Sequence, residues 1–330
     1  MKECVLGIDG GGTKTRAAIM DGEGNILGIS VGKTSNYDDI GIEAAQENIK
    51  QVVESAQQKA GIGNDPFQAA FLGIGGVCSE SDRAIVKRMA VNLHLAPEKE
   101  IGVDHDIRIA LAGGLSGRPG IVQIAGTGSS CYGRNAEGNS WRSGGWGPLL
   151  ADEGSGYWFG IEAMKAATRA SDGHSQPTAL LPSVLKFLEI SNIDSIMHRV
   201  YVQKMSRSEI ASLSPLVISA AKDGDTVSLE IVNNGIQCMA ECVSIVAQKL
   251  DLMEHCELSL TGGVFQAGDF IIERMRTAVQ ERIPGCKVMM AELPPVIGSC
   301  LLALQSLKIQ LSAVKIQDLQ KTAAVLCTDV

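Results

Sequence analysis

The sequence predicts an α/β protein made of two domains of like topology, and three observations lead there. The chain has 330 residues, too long for one ordinary core and suited to two domains of roughly 150 residues each. Two segments, GIDGGGTKTRAAIMDGEGN (7–25) and QIAGTGSSCYGRNAEGN (123–139), run alike through a strand, a Gly/Thr turn, a second strand and a turn closing on Gly-Asn. Helical stretches follow each segment, so strands and helices share both halves.

The elements justify this in order. Residues 3–9 read as a buried strand, and TRAAIMD (15–21) and ILGIS (26–30) alternate around the turn GEGN (22–25), which makes antiparallel hairpins. Residues 42–60 have helical apolar spacing and stop at Gly61. AAFLGIGGV (69–77) is a buried strand entering a glycine turn, residues 80–93 are helical, and EIGVDHD (100–106) is a short strand ending in acids before a helix begins at Ile107. The second half repeats the hairpin at 119–133 and adds a strand-to-glycine turn at LSLTGGVF (258–265). Helices are expected over 155–170, 207–222, 226–250, 266–281 and 297–307. No low-complexity linker is visible, so the boundary near GLSGR (114–118) comes from the repeat: residues 1–114 form one domain and 115–330 the other, with the last helix packing back on the first.

The bulk properties narrow the function. A net charge of −8 argues against a nucleic-acid partner, because binding a phosphate backbone needs a basic surface. No apolar run reaches the roughly 20 residues of a membrane span, and the N-terminus enters a strand without a signal-peptide region, so a cytoplasmic protein with no membrane partner is expected. Nine cysteines occur without a CxxC pair; Cys238 and Cys242 share a helical face, and all read as core thiols in a reducing compartment. The five histidines form no metal set.

Residues 7–15 nearly match the phosphate-loop pattern G-x-x-x-x-G-K-[ST], but Thr13 intervenes between Gly12 and Lys14. That loop must also open a helix, whereas a hairpin follows here. The chemistry survives the mismatch. Gly10, Gly11 and Gly12 admit close backbone approach, Thr13 and Thr15 can donate hydroxyl hydrogen bonds, and Asp9 at the strand end can hold Mg²⁺. Without a ligand, the same segment is a tight hairpin. GTGSS (126–130) repeats the pattern through Gly126, Gly128 and the hydroxyls of Thr127, Ser129 and Ser130. Two such loops on opposite domains can close on one triphosphate. Gly262 and Gly263 in LTGGVF would let a flat ring lie against the backbone, although an ordinary strand–helix connection would look the same.

Asp106 ends a strand and begins a helix, where it could be a helix N-cap or, beside the phosphate loops, a base for a hydroxyl proton. Asp104 two residues earlier is its competitor. Asp152 and Glu153 precede a helix and could cap it, or grip a pair of sugar hydroxyls. Trp146 is either packing or a flat wall for a sugar, and Arg142 stands where it could meet a substrate carboxylate.

Together GIDGGGTKT, TSNY (34–37), VDHD (103–106), GTGSS, GGWGPLLADEGSGYW (144–158) and LTGGVF resemble the phosphate and adenosine motifs of the actin-like sugar-kinase superfamily. Within it the chain is similar to the BadF/BadG/BcrA/BcrD ATPase family, and there to the N-acetylglucosamine kinases, over about residues 4–305. The resemblance implies two actin-like (ribonuclease H-like) domains with an interdomain cleft, and an ATP- and Mg²⁺-dependent amino-sugar kinase that forms a homodimer. N-acetylglucosamine at its 6-hydroxyl is the expected acceptor, with glucosamine, N-acetylmuramic acid or an ATPase activator of CoA-ester dehydratases as alternatives. It further implies that Thr13 and Thr127 contact phosphates, that Asp106 is the base, and that Gly262 lies under the adenosine. Asn36, Ser129, Ser130, Gly145, Trp146, Gly147 and Asp152 would then line the sugar site. His105 and Ser143 depart from the pattern, which has Asn in bacterial relatives and Cys in animal ones, respectively.

Overall fold

The computed structural model describes residues 4–326, and side chains up to residue 323. Two compact units emerge: residues up to Pro119 together with the chain from Met290 onward, and Gly120–Met289. The second unit is therefore an insertion, and the chain's last stretch lies with the first unit rather than with the expected second segment.

In the first unit β1 (Cys4–Gly10), β2 (Lys14–Asp21) and β3 (Ile26–Lys33) form an antiparallel meander, followed by α1 (Tyr37–Ile40) and α2 (Ile42–Ala60). β4 (Ala69–Ile74), α3 (Glu80–Asn92), β5 (Ile101–His105) and α4 (Asp106–Gly114) come next, with β4 parallel to both β1 and β5. The sheet order is β3-β2-β1-β4-β5. Helix α2 forms because Ala45, Ile49, Val52, Val53 and Ala56 recur on one face, and it stops at Gly61, whose φ of 65° closes the last turn. That face covers Leu6, Ile8, Ala17 and Ile19, which alternate on the two central strands.

The second unit repeats the plan. β6 (Gly120–Ala125), β7 (Ser129–Arg134) and β8 (Ser140–Gly144) are an antiparallel meander, α5 (Gly156–Ser171), α6 (Leu180–Leu188), α7 (Arg207–Ala211), α8 (Ser214–Lys222) and α9 (Thr226–Lys249) follow, and β9 (Glu257–Thr261) runs parallel to β6. After α10 (Asp269–Gln280) and β10 (Lys287–Met290) the order is β10-β9-β6-β7-β8, matching the first sheet strand for strand. Each unit thus carries the actin-like sheet. Two expected helices are interrupted. The 207–222 stretch divides between Ala211 and Ser214, just before Pro215, and the 266–281 stretch at Gly268, where φ is 91°.

The chain then returns through α11 (Pro295–Ser306) and α12 (Ala313–Leu326). Helix α11 lies against β1 and α4, and only small residues permit the approach. A Cβ on Gly7 would meet Cys300 N and Val296 O at 2.6 Å, and one on Gly113 would meet Leu293 O at 2.8 Å. Ser299 Oγ accepts from Ile8 N–H (3.2 Å) and donates to Phe71 O (2.6 Å). No helix of the described residues is long and apolar enough to cross a membrane.

Candidate active site

In the first unit, three strand ends converge. β1 ends at Asp9 and Gly10, and Gly11 N–H closes the hairpin turn on Lys14 O (3.0 Å), which leaves Gly12, Thr13 and Lys14 exposed. β4 ends in Gly75 and Gly76, and Gly75 N–H donates to Gly10 O (2.7 Å). β5 delivers Asp106. A Cβ on Gly75 would stand 3.3 Å from Asp106 Oδ2 and 3.9 Å from Gly11 Cα, so Asp106 sits directly beside the glycine turn. A Cβ on Gly76 would meet Asn36 Oδ1 at 3.1 Å, which brings Asn36 to the same edge. Asn36 caps α1 through Asp38 N–H. Thr34 Oγ1 donates to Gly11 O (2.8 Å) and ties this segment to the turn.

The two acids differ in their partners. Asp104 is held by Arg83 (2.9 Å) and by the His105 N–H (2.9 Å). Asp106 is not the helix cap; His105 is, facing the Ile107 N–H at 3.2 Å. The Asp106 side chain is 36% exposed, and His105 Nδ1 lies 2.5 Å from its Oδ1. Asp9 is 17% exposed with Arg16 at 3.9 Å. Burial first, then the negative charge of Asp106, pushes its carboxyl up to about 6, with Arg16 and Lys14 pulling against them. Thr15, expected to donate outward, is buried and bonds Ser35 Oγ (2.8 Å). It lies within β2 and faces the core, whereas Thr13 lies in the exposed turn before the strand.

In the second unit, the turn Gly126–Thr127–Gly128 is clasped on three sides. Gly126 N–H donates to Gly128 O (2.9 Å), while Gly126 O and Thr127 O accept from the N–H groups of Gly156 (2.8 Å) and Tyr157 (3.2 Å) at the start of α5. Gly262, at φ 109°, packs on the end of β6: a Cβ there would run into Ala125 O and stand 2.8 Å from Gly126 N. A Cβ on Gly126 or Gly263 would meet nothing within 4 Å, so backbone is open to a ligand at both. Asp152 lies beneath the turn, 6% exposed, accepting from Ser129 N–H (3.2 Å) and from Arg207 Nη2 (3.0 Å). Burial raises its carboxyl above the usual range, against the pull of that N–H and of Arg207. Ser129 Oγ accepts from Gln123 (3.0 Å), and Ser130 Oγ is a buried hydroxyl with no partner among the described residues, 2.6 Å from where a Gly145 Cβ would be.

Gly144, Gly145 and Gly147 all have φ near 70–86°, which bends the loop sharply after β8. Trp146 stands out at 63% exposure with the Arg142 guanidinium 4.5 Å from its ring centre, and Gly147 bridges to Ala151. Ser143 bonds the Cys242 thiol on α9. No disulfide joins the described cysteines, and no group of three or more His, Cys, Asp or Glu among the described residues could hold a metal.

The structure thus gathers Asp9, Gly11, Gly12, Thr13, Lys14, Asn36 and Asp106 in one unit. It gathers Gly126, Thr127, Gly128, Ser129, Ser130, Gly145, Gly147, Asp152, Gly262 and Gly263 in the other, with Trp146 at the rim. Sequence reasoning missed Gly75–Gly76, although a glycine pair after a buried strand is the same signal as Gly262–Gly263. It also missed Arg207, which no motif marks.

Comparison with known proteins places the chain in a family. The profile of the BadF/BadG/BcrA/BcrD ATPase family matches residues 6–303. A Clostridium acetobutylicum protein named N-acetylmuramic acid/N-acetylglucosamine kinase is 33% identical over 300 residues, covering 91% of this chain and 97% of its own. An N-acetyl-D-glucosamine kinase of Dictyostelium discoideum is 32% identical over 320 residues, covering 93% and 99%. A crystal structure from Chromobacterium violaceum, provisionally named an N-acetylglucosamine kinase, superposes with a TM-score of 0.72 at 26% identity over 92% of this chain and 99% of that one.

Proposed function

We propose that this chain, which belongs to the BadF/BadG/BcrA/BcrD ATPase family, is an ATP-dependent kinase whose acceptor is an amino sugar, first of all the 6-hydroxyl of N-acetylglucosamine. The observation that carries the reading is Asp106. It is a half-exposed carboxylate beside the first glycine turn, relieved of helix capping by His105 and distinct from the Arg83-bound Asp104. Both full-length relatives described above are named for amino-sugar phosphorylation, which agrees with a hydroxyl acceptor.

In this reading the sugar hydroxyl gives its proton to Asp106 as its oxygen attacks the terminal phosphorus, and the bond to the bridging oxygen breaks to release ADP. Thr13, Lys14, the backbone of Gly126–Gly128 and the Thr127 hydroxyl bind phosphate oxygens. The open backbone at Gly263 and the sharply turned Gly262 take the adenosine. Asn36, Ser129, Ser130, Gly145–Gly147 and Asp152 orient the sugar. The residues fit Mg²⁺. The negative charge of Asp106 adds to the cost of ionising Asp9, and a divalent cation relieves that repulsion. Mg²⁺ usually keeps several waters and takes one or two carboxylates plus substrate phosphates, so a three-residue protein cluster is not needed. Bound at Asp9, the ion would neutralise charge on the phosphate oxygens. ATP supply makes the cytoplasm the working compartment.

The test is ADP release measured at one ATP concentration with N-acetylglucosamine, glucosamine, N-acetylmuramic acid and glucose, followed by NMR of the product to locate the phosphate. Amino sugars are expected to exceed glucose in kcat/KM. If glucose wins, the amino-sugar reading fails; if no sugar is phosphorylated, the kinase reading fails.

A further inference from the structure

We infer that Arg207 is a positioning residue of this site: it holds the Asp152 carboxylate ionised and in place beneath the Gly126–Gly128 turn, and through it keeps that turn in register. The inference rests on the kinase reading for its functional consequence, but its structural core stands apart from it.

The geometry is specific. Asp152 is nearly buried, and its two oxygens have different duties. Oδ1 accepts from Ser129 N–H (3.2 Å) and Oδ2 from Arg207 Nη2 (3.0 Å). The pair encloses Gly128, where a Cβ would stand 3.3 Å from both carboxylate oxygens and 3.6 Å from Arg207 Nη2. Arg207 comes from far along the chain, so α7 must be held accurately for the guanidinium to arrive. Two glycines on α5 do this. A Cβ on Gly160 would drive into Ile210 O, and one on Gly156 would stand 3.3 Å from Ala211 O. The short helix α7 therefore lies directly on the backbone of α5, with Ser206 and Glu209 closing a capping box at its start. The Arg207 guanidinium also lies 5.9 Å from the centre of the Tyr157 ring on α5. The sequence GYWFG (156–160) is thereby explained: its glycines are where α7 docks.

A buried carboxylate is expensive to ionise without a partner. The groups facing Asp152 are Arg207 from α7, the Ser129 N–H from β7 and Glu153 on its own loop, with Tyr157 beneath the guanidinium. Arg207 is the one cation in that set. Removing it lets Asp152 take up a proton at higher pH, and the protonated acid loses its attraction for the Ser129 N–H that fixes the turn.

The experiment titrates Asp152 directly by carbon-13 NMR of aspartate-labelled protein without ligands, the signal assigned by its loss in Asp152→Asn. Arg207 is 52% exposed, so its removal leaves no buried hole. In Arg207→Gln the Asp152 midpoint should rise by about one pH unit or more, and Arg207→Lys should restore part of the difference. A midpoint equal to that of the wild type in Arg207→Gln overturns the inference. In parallel, the acid limb of kcat/KM for N-acetylglucosamine should move to higher pH in Arg207→Gln and partly back in Arg207→Lys. A limb unmoved by the substitution overturns the positioning role even where the NMR midpoint shifts. If the wild type phosphorylates no amino sugar, the kinase reading falls, and the NMR titration still decides whether Arg207 governs Asp152.

Discussion

Replacing Asp9 by Asn should stabilise the protein while impairing it. The carboxylate lies at the end of β1, 17% exposed, and its pKa is raised from 3.8 to about 6, by burial first and by Asp106 second. At about 1.4 kcal/mol per pH unit, that rise means the ionised group costs the fold about 3 kcal/mol. The sign follows from linkage: the folded state holds this proton more tightly than the unfolded state does. Asp9 therefore costs nothing below pH 3.8, and its penalty grows until the pH has passed about 6. Asn keeps the shape and never ionises. Urea denaturation of wild type and Asp9→Asn, without Mg²⁺, should give equal stabilities near pH 4 and a variant more stable by about 3 kcal/mol near pH 8. Subtracting the two proteins cancels every other titrating group. A difference independent of pH, or a variant less stable at pH 8, would refute the reasoning. Turnover should fall in the same variant if Asp9 holds the nucleotide's Mg²⁺.

Three further outcomes are expected. Asp106→Ala should lower turnover on the order of 10²–10⁴-fold with ATP binding intact by calorimetry, and retention of a third of the rate would remove it as the base. Thr13→Val and Thr127→Val should each raise the KM for ATP several-fold and leave the sugar KM within about two-fold; the reverse pattern would reassign the loops. Gly262→Ala should destabilise the protein by about 2 kcal/mol or more, since φ of 109° strains any side chain and the Cβ collides with the Ala125 carbonyl. An unchanged Tm would show that the loop relaxes freely.

The strand–glycine–strand duplication was legible because alternation and glycine turns are local signals; it predicted two domains of like topology, and the two sheets match in strand order. The ends of the sheets were not. Ser140–Gly144 contains no alternating apolar pattern and Lys287–Met290 spans four residues, so β8 exists through its hairpin pairing with β7 and β10 through its pairing with β9. The glycine turns and the strand-to-helix junction at Asp104–Asp106 were likewise readable, being short contiguous motifs. Arg207 and the choice between Asp104 and Asp106 were not, because each depends on a partner brought by folding: Asp152 in one case, Arg83 in the other. Thr15 shows the same limit in reverse, a hydroxyl well placed in the motif but turned inward by strand pleating onto Ser35.

The return of the chain at Met290 has a consequence for biogenesis. β1 emerges first from the ribosome, yet its backbone at Ile8 and the carbonyl of Phe71 are matched by Ser299, and Gly7 is covered by the backbone around Val296 and Cys300. The nascent first unit must therefore wait, its central strands uncovered, while the inserted unit from Gly120 to Met289 is translated in full. The unit begun second is the one that can finish first. Termination after Met289 but before α11 would release a polypeptide with a completed inserted unit and an aggregation-prone first one.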